Sequence, residues 1–300
     1  MICNSCFTPV TDKFITCDVC GKGLHVECAI HEGETCYCDT CYIERDVNKQ
    51  VNSYTEEIPE VIRRSYIEVY KQCPHKFYMS VMKGHEMPEN IYTKLGIDLH
   101  ELFEKGSKDA SYKKEQMIVD YINKFCAYDE SIFADMMQKA DMYSRGLDSI
   151  ETFYGVNATM PPPYATEVKM EFSIGEGLPK VSATFDRINL VDGELEIVDW
   201  KTGGVLVGKG LSSDLQAPLY IHAVQQHYGI PVRKFTFYYL KDNKVREFIR
   251  VNDSNDYVCT VGKKNYMINT VDMIKEVQHL FSQIMKGNFN IPIDTKKMYY

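Results

Sequence analysis

The sequence predicts an α/β fold, a mixed sheet flanked by helices, behind a small N-terminal module held together by metal. Three observations carry that expectation. Apolar residues alternate on either side of Asp192-Gly193, the strongest short hairpin signal a chain can give, so strands are expected from about Val181 to Leu190 and from Glu194 to Trp200. Strand and helix patterns then follow one another. A strand over Ala165 to Ile174 precedes the hairpin, an amphipathic helix over Asp214 to Tyr228 follows it, and a second hairpin turns at Asp242-Asn243 between Lys234–Leu240 and Lys244–Val251. Finally, eight of the eleven cysteines fall in the first 41 residues, spaced for metal rather than for disulfides.

The hairpin gathers chemistry at its open end. Asp186 and Asp199 are equidistant from the turn and should face each other on neighbouring strands. Lys201 lies two residues beyond Asp199, on the same strand face. Asp-x-Lys is a cheap pattern, and Glu167-Lys169, Asp242-Lys244 and Asp294-Lys296 repeat its spacing here. Asp199, however, follows the apolar Ile197-Val198 and precedes Thr202-Gly203-Gly204, where the chain must turn. Polar groups at the end of an apolar strand are costly unless paired or bound to metal. Two acids beside an ammonium suit a hard divalent cation and a water poised for attack.

The segment Glu196-Ile-Val-Asp-Trp-Lys-Thr-Gly203 resembles the metal-binding motif of the PD-(D/E)XK nucleases, in particular their RecB-like branch. Four further segments match in the same order: Ser65-Tyr-Ile-Glu-Val-Tyr-Lys-Gln-Cys-Pro-His-Lys-Phe77, Gly96-Ile-Asp-Leu-His100, Ala183-Thr-Phe-Asp-Arg187 and Leu215-Gln-Ala-Pro-Leu-Tyr220. Ala183 stands where that family usually carries Gly. The resemblance implies a restriction-endonuclease-like sheet and a DNA nuclease, with exonuclease action in recombination, repair or processing expected. It implies Mg²⁺ or Mn²⁺ held by His100, Asp186, Asp199 and the backbone carbonyl of Trp200. Lys201 would be catalytic, with Gln216 and Tyr220 beside it. A supporting acid is expected in the preceding strand; Glu167 matches that position better than Glu171. The alternative is a catalytically inactive nuclease-fold adaptor whose finger binds a protein.

The N-terminal cysteines read Cys3-x-x-Cys6, Cys17-x-x-Cys20, His25-x-x-Cys28 and Cys36-x-Cys38-x-x-Cys41. Each two-residue spacing lets both ligands reach one tetrahedral zinc from a single turn. Their order resembles cross-brace, treble-clef fingers of the PHD type. That resemblance implies Cys3, Cys6, His25 and Cys28 on one structural Zn²⁺ and Cys17, Cys20, Cys38 and Cys41 on the other. Cys36 is a substitute for Cys38, and His31 a weaker one. So short a segment cannot bury enough apolar surface to fold without metal.

Residues 1–43 are therefore read as the finger, 44–60 as a polar linker, and 61–300 as the nuclease domain with a helical insertion at about 107–160. Helices are expected over Val61–Met82, broken at Pro74, over Pro88–Lys105, and in the insertion over Lys113–Ala127 and Ser131–Tyr154. A long helix over Asp256–Lys286 closes the domain. Some RecB-like members carry an iron–sulfur cluster beginning at a Cys-Pro pair like Cys73-Pro74. Outside the finger only Cys126 and Cys259 remain to help Cys73, so no such cluster is expected and Cys73 is read as a buried apolar residue.

Composition sets the outer limits. With 300 residues, 44% hydrophobic and 25% charged, the chain is globular, and with neither a signal-like start nor an apolar run long enough to span a bilayer it is expected in the cytoplasm, or with a nucleoid or nucleus. The net charge of −8 is uneven: residues 1–60 hold four Lys/Arg and eleven Asp/Glu, a net of −7. Nucleic-acid affinity comes from cations neutralising phosphates. The acidic finger thus suits a protein partner or a basic peptide, and the DNA substrate falls to the rest of the chain. Lys209, Arg233, Lys234, Arg246 and Arg250 are the candidate phosphate contacts.

Overall fold

The computed structural model describes residues 14–38, 41–42, 57–85, 90–109 and 111–289. Cys3, Cys6 and most of the expected linker lie outside these residues.

In the finger, β1 (Phe14–Thr16) pairs antiparallel with β2 (Gly23–His25), and β3 (Ile30–Glu32) with β4 (Thr35–Tyr37). The turn before β2 closes when Gly21 N–H donates to Cys17 O at 2.8 Å and Cys17 N–H to Lys22 O at 3.0 Å. Gly21 has φ of 70°, open to glycine at little cost. The buried side chains here are Cys17, Leu24, Cys36, Tyr37, Cys38 and Cys41, a core made mostly of thiols.

The main sheet has eight strands. Along one path lie β12 (Lys264–Asn269), β11 (Asp256–Val261), β10 (Lys244–Arg250), β9 (Val232–Tyr239), β8 (Glu194–Lys201), β7 (Lys180–Val191) and β5 (Val61–Arg63), with β6 (Ala165–Phe172) also paired to β7. The expected hairpin forms in the expected register, Val191↔Glu194 through Arg187↔Val198. Asp192 and Gly193 have φ of 52° and 82°, which suits the right-handed twist of the flanking strands. Because β6 occupies one edge of β7 from Val181 to Ile188, β8 and β5 share the other edge. β8 takes Arg187–Val191 and β5, running parallel, takes Lys180–Ser182.

β8 is buried on both faces, and so reads as a near-continuous apolar run. Leu195 and Ile197 join a core with α1 (Arg64–Gln72), α7 (Gln216–Tyr228) and α8 (Thr270–Met285); α2 (Pro74–Phe77) adds Phe77 to the same core. Val198 and Trp200 join a second core with α3 (Ile91–Lys108), α4 (Lys114–Cys126) and α5 (Met136–Thr159). α6 (Gly210–Ser213) bridges β8 to α7. Among the described residues, no helix is long and apolar enough to cross a membrane.

α4 and α5 are packed closely on each other, and the last turn of α5 is held to β7. In α5, Gly146 passes so close to Tyr121 of α4 that a Cβ would lie 2.1 Å from its ring, while Gly155 has open space. The buried guanidinium of Arg187 donates to Asn157 Oδ1 in the last turn of α5 at 2.7 Å, to the carbonyl of Pro161 just beyond it, and to Asn189 Oδ1 on its own strand at 2.8 Å.

Four expectations are corrected. Residues 256–269 are a β-hairpin, and the closing helix begins only at Thr270, capped by Asn269 Oδ1 on Asp272 N–H at 3.1 Å. The helix expected from Ser131 begins at Met136, because Asp129 closes a short turn over Glu130–Ile132 and Asp135 caps α5. Val61–Arg63 is a strand rather than the start of a helix. Cys73 is half-buried, not core, and its Sγ accepts from Lys76 N–H at 3.4 Å to start the helix led by Pro74.

Candidate metal centre

The site lies where β8 leaves β7. The ladder stops at Arg187↔Val198, and β8 runs on beside β9, with Asp199 opposite Phe237 and Lys201 opposite Tyr239. In continued register Asp186 would face Asp199. Instead Asp186 Oδ2 accepts the Trp200 N–H at 2.6 Å, bridging the first step of the divergence. The Trp200 indole is buried on the other face, edge-on to Phe153.

Three elements bring ligand atoms together here. His100 comes from α3, which starts with Asn90 Oδ1 accepting from Thr93 N–H at 3.0 Å. Glu167 comes from β6, at φ of 50°, where the ladder to β7 skips a pair opposite Asp186. One ligand atom each from His100, Glu167 and Asp186 lie within 4.8 Å of one another, with His100 Nδ1 3.4 Å from Asp186 Oδ1. Glu171 lies elsewhere, exposed and paired in register with Ser182.

Asp199, Lys201 and Gln216 form an adjoining group. Lys201 Nζ lies 2.8 Å from Asp199 Oδ2 and donates to Gln216 Oε1 at 2.7 Å, while Gln216 Nε2 donates to Asp199 Oδ1. Tyr220, one turn along α7, donates from its hydroxyl to Thr184 O at 2.9 Å. The structure thus gathers His100, Glu167, Asp186, Asp199, Lys201, Gln216 and Tyr220 around one end of the hairpin.

The electrostatics describe a site crowded with negative charge. Burial pushes the Asp199 carboxyl up and Asp186 adds to this, against the pull of Lys201. Burial, then Asp186, raise Glu167 to about 7. For His100 burial opposes the charged form, but Asp186 and then Asp199 and Glu167 outweigh it and raise the imidazole to about 9. Three carboxylates press on one another with few cations to share. Asp199 Oδ2 is buried, and its one close polar neighbour among the described residues is the Lys201 ammonium at 2.8 Å. A buried carboxylate with only an ammonium on one oxygen, beside the oxygen-rich donor set of Glu167 and Asp186 with one imidazole, fits a hard divalent cation.

Two neighbours lie outside the sequence expectations. Asp214 accepts from Gln216 N–H at 3.1 Å and Ala217 N–H at 3.0 Å, and burial raises it to about 6. An Asp just ahead of an amphipathic run is a capping signal that could have marked it. Arg64 is the other, at the first turn of α1 and paired with Glu68 at 2.9 Å. Of the candidate phosphate contacts, Arg233, Lys234 and Arg250 are held by Glu196, Glu247, Asp192 and Glu194. Arg246 donates to the carbonyls of Leu206 and Val245, and Lys209 is exposed.

In the finger, sulfur atoms of Cys17, Cys20, Cys38 and Cys41 lie within 4.8 Å of one another, which fits a zinc site. Cys38, not Cys36, joins this cluster. Burial opposes the Cys17 thiolate, but backbone N–H groups of Cys20, Cys38 and Val19 outweigh it and bring the thiol down to about 6. Cys28 Sγ lies 4.0 Å from His25 Nδ1, and His31 is exposed.

Among solved structures, the chain is similar to SSO0001 at 14% identity, over 81% of this chain and 86% of that one, with a TM-score of 0.28. It is also similar to protein VC1899 from Vibrio cholerae at 11% identity, over 76% of this chain and 58% of that one, with a TM-score of 0.21. No curated protein matches. Residues 64–296 match the PD-(D/E)XK nuclease superfamily, and with α1 through α8 and the whole of the site inside that span, the chain belongs to that superfamily.

Proposed function

We propose that this protein hydrolyses DNA phosphodiester bonds with a divalent cation, Mg²⁺ or Mn²⁺, as a RecB-like exonuclease in recombination, repair or processing. The observation that carries this reading is the meeting of His100, Glu167 and Asp186 next to the Asp199–Lys201–Gln216 group. His100, Glu167, Asp186 and Asp199, with the Trp200 carbonyl, are the residues that would hold the cation. When bound, it polarises a phosphoryl oxygen and lowers the pKa of water. Gln216 fixes Lys201 from one side and Asp199 from the other, so the ammonium is set before substrate arrives. From there it orients the attacking water or offsets the negative charge that develops. Asp186 is fixed in turn by the Trp200 N–H.

The finger is read as a PHD-like structural module. Cys17, Cys20, Cys38 and Cys41 hold one Zn²⁺, and His25 and Cys28 join Cys3 and Cys6 on the second. Its acidity supports a protein partner rather than a grip on phosphates.

The test is a cleavage assay with Mn²⁺ on end-labelled linear and on circular DNA, comparing the natural chain with Asp199→Asn. Nucleotide release from linear DNA only, lost in the variant, is expected. Equal activity in the two proteins overturns the assignment.

A further inference from the structure

Beside the carboxylate site lies a cavity of about 430 Å³ lined by Arg63, Arg64, Ser65, Lys169, Ser182, Thr184 and Tyr220. Its lining holds three cations and four hydroxyls, and no carboxylate among the described residues. Of the three cations, Arg64 has an acid partner, Glu68. Arg63 lies 5.8 Å from the Tyr66 ring centroid, and neither it nor Lys169 has an ion-pair partner among the described residues. Both are exposed. The nine-residue α1 starts at this cavity with no capping side chain and no acid in its first turn. Its first N–H groups therefore add to the positive character that the side chains create.

The cavity and the carboxylates share a wall. Thr184 precedes Asp186 by two residues along β7, a rise of about 7 Å. Tyr220 donates to Thr184 O, and its ring centroid lies 4.4 Å from that of Phe185. Gln216, one turn earlier on the same helix, holds Asp199. The gap that β8 leaves on β7 thus opens into a cation-lined hollow before β5 closes the edge.

We propose that this cavity seats a phosphate of the substrate strand flanking the scissile bond, gripped by Arg63, Arg64 and Lys169. It rests on the nuclease reading above and adds where the strand lies. Guanidinium forks match phosphate oxygens two at a time, and hydroxyls fill the remaining lone pairs. With this contact the strand runs from the hollow to the carboxylates along β7, which fixes its register over Asp186.

The test uses the full chain in EDTA and fluorescein-labelled single-stranded DNA, read by anisotropy over a salt series. Arg63→Gln/Lys169→Gln is expected to weaken binding at least tenfold and to lower the salt slope by about 0.7, the share of one phosphate on a single strand. Lys263→Gln/Lys264→Gln, at the far β11–β12 turn, removes the same charge and is expected to change neither. Unaltered binding in the first variant, or equal weakening in both, overturns the proposal. Oligonucleotides with a 5′-phosphate or a 5′-hydroxyl separate two sources of the phosphate. Equal loss on both marks an internal diester; loss confined to the phosphorylated one marks a terminal monoester. Cleavage by the natural chain with unchanged binding in the first variant sinks this inference alone. Site-dependent binding without cleavage sinks the nuclease reading and leaves the cavity as a phosphate seat with no scissile bond beside it.

Discussion

The backbone N–H of Trp200 donates to Oδ2 of Asp186 at 2.6 Å, two residues past the last strand pair on one side and one residue past it on the other. That bond leaves Asp186 Oδ1 turned toward His100. A main-chain group on one acid-bearing strand thereby aims the acid of the other.

Asp199→Asn keeps the shape of a buried side chain but removes the charge that a cation and Lys201 both use. Cleavage with Mn²⁺ should fall by at least about 10³-fold, roughly 4 kcal/mol of barrier. The melting temperature should hold or rise, since a desolvated carboxylate is gone. Wild-type rates in the variant refute the role.

Glu167→Gln gives a pH-dependent stability test without cation. The folded pKa of Glu167 is raised from 4.5 to about 7, so the folded state binds the extra proton, and stability falls as pH climbs through that window. Below about pH 4 natural chain and variant should match. Above pH 7 the variant should be more stable by on the order of 2 kcal/mol. Urea melts in EDTA at pH 4, 5.5 and 7.5 measure it, and parallel curves refute it.

Cation binding should release protons. With Glu167 near 7 and His100 near 9 in the cation-free site, both must give up protons to become ligands. Mn²⁺ affinity should therefore be weaker at pH 6 than at pH 8. Calorimetry in buffers of different ionisation enthalpy should show release of more than one proton at pH 7. A buffer-independent heat contradicts it.

Cys38→Ser should cost the finger one zinc, while Cys36→Ser should cost none, because only Cys38 belongs to the thiol cluster. Metal content by mass spectrometry of the native proteins decides this. Equal loss in both variants contradicts the ligand set.

Two glycines of one helix should respond in opposite directions. Gly146→Ala pushes a methyl into the Tyr121 ring and should cost about 2 kcal/mol. Gly155→Ala meets nothing and should gain about 0.5–1 kcal/mol from helix propensity. Thermal melts of the two variants check the contrast.

What the sequence makes legible here is local. The β7–β8 hairpin is written in period-two alternation and a turn that tolerates positive φ, so its register can be read from the residues alone; that the ladder stops at Arg187↔Val198, leaving Asp186 to accept the Trp200 N–H rather than pair with Asp199, cannot. The helix bearing Gln216 is legible for the same reason. The β11–β12 hairpin is hidden although its signal is present: β-prone Tyr257 to Val261, then Gly262 at φ of 60°. Its apolar residues also continue the stripe of the following helix, and that longer pattern masks the shorter one. β5 is only three residues long and exists because β7 has a free stretch of edge to offer, a fact of tertiary pairing. For that reason nothing in the chain marks Arg63 and Arg64 as standing over a cavity. That Arg233, Lys234 and Arg250 pair with carboxylates of the β7–β8 hairpin and of β10 is likewise a fact of tertiary placement that the sequence does not mark.

Arg187 immediately follows Asp186, yet its three hydrogen bonds reach two residues at the exit of the helical insertion and one on its own strand. The end of α5 is thereby joined to the hairpin through the residue next to Asp186. Excising residues 107–160 would take Asn157 from a buried guanidinium one peptide away from Asp186, so the cut would be felt at the acid and not only at the surface.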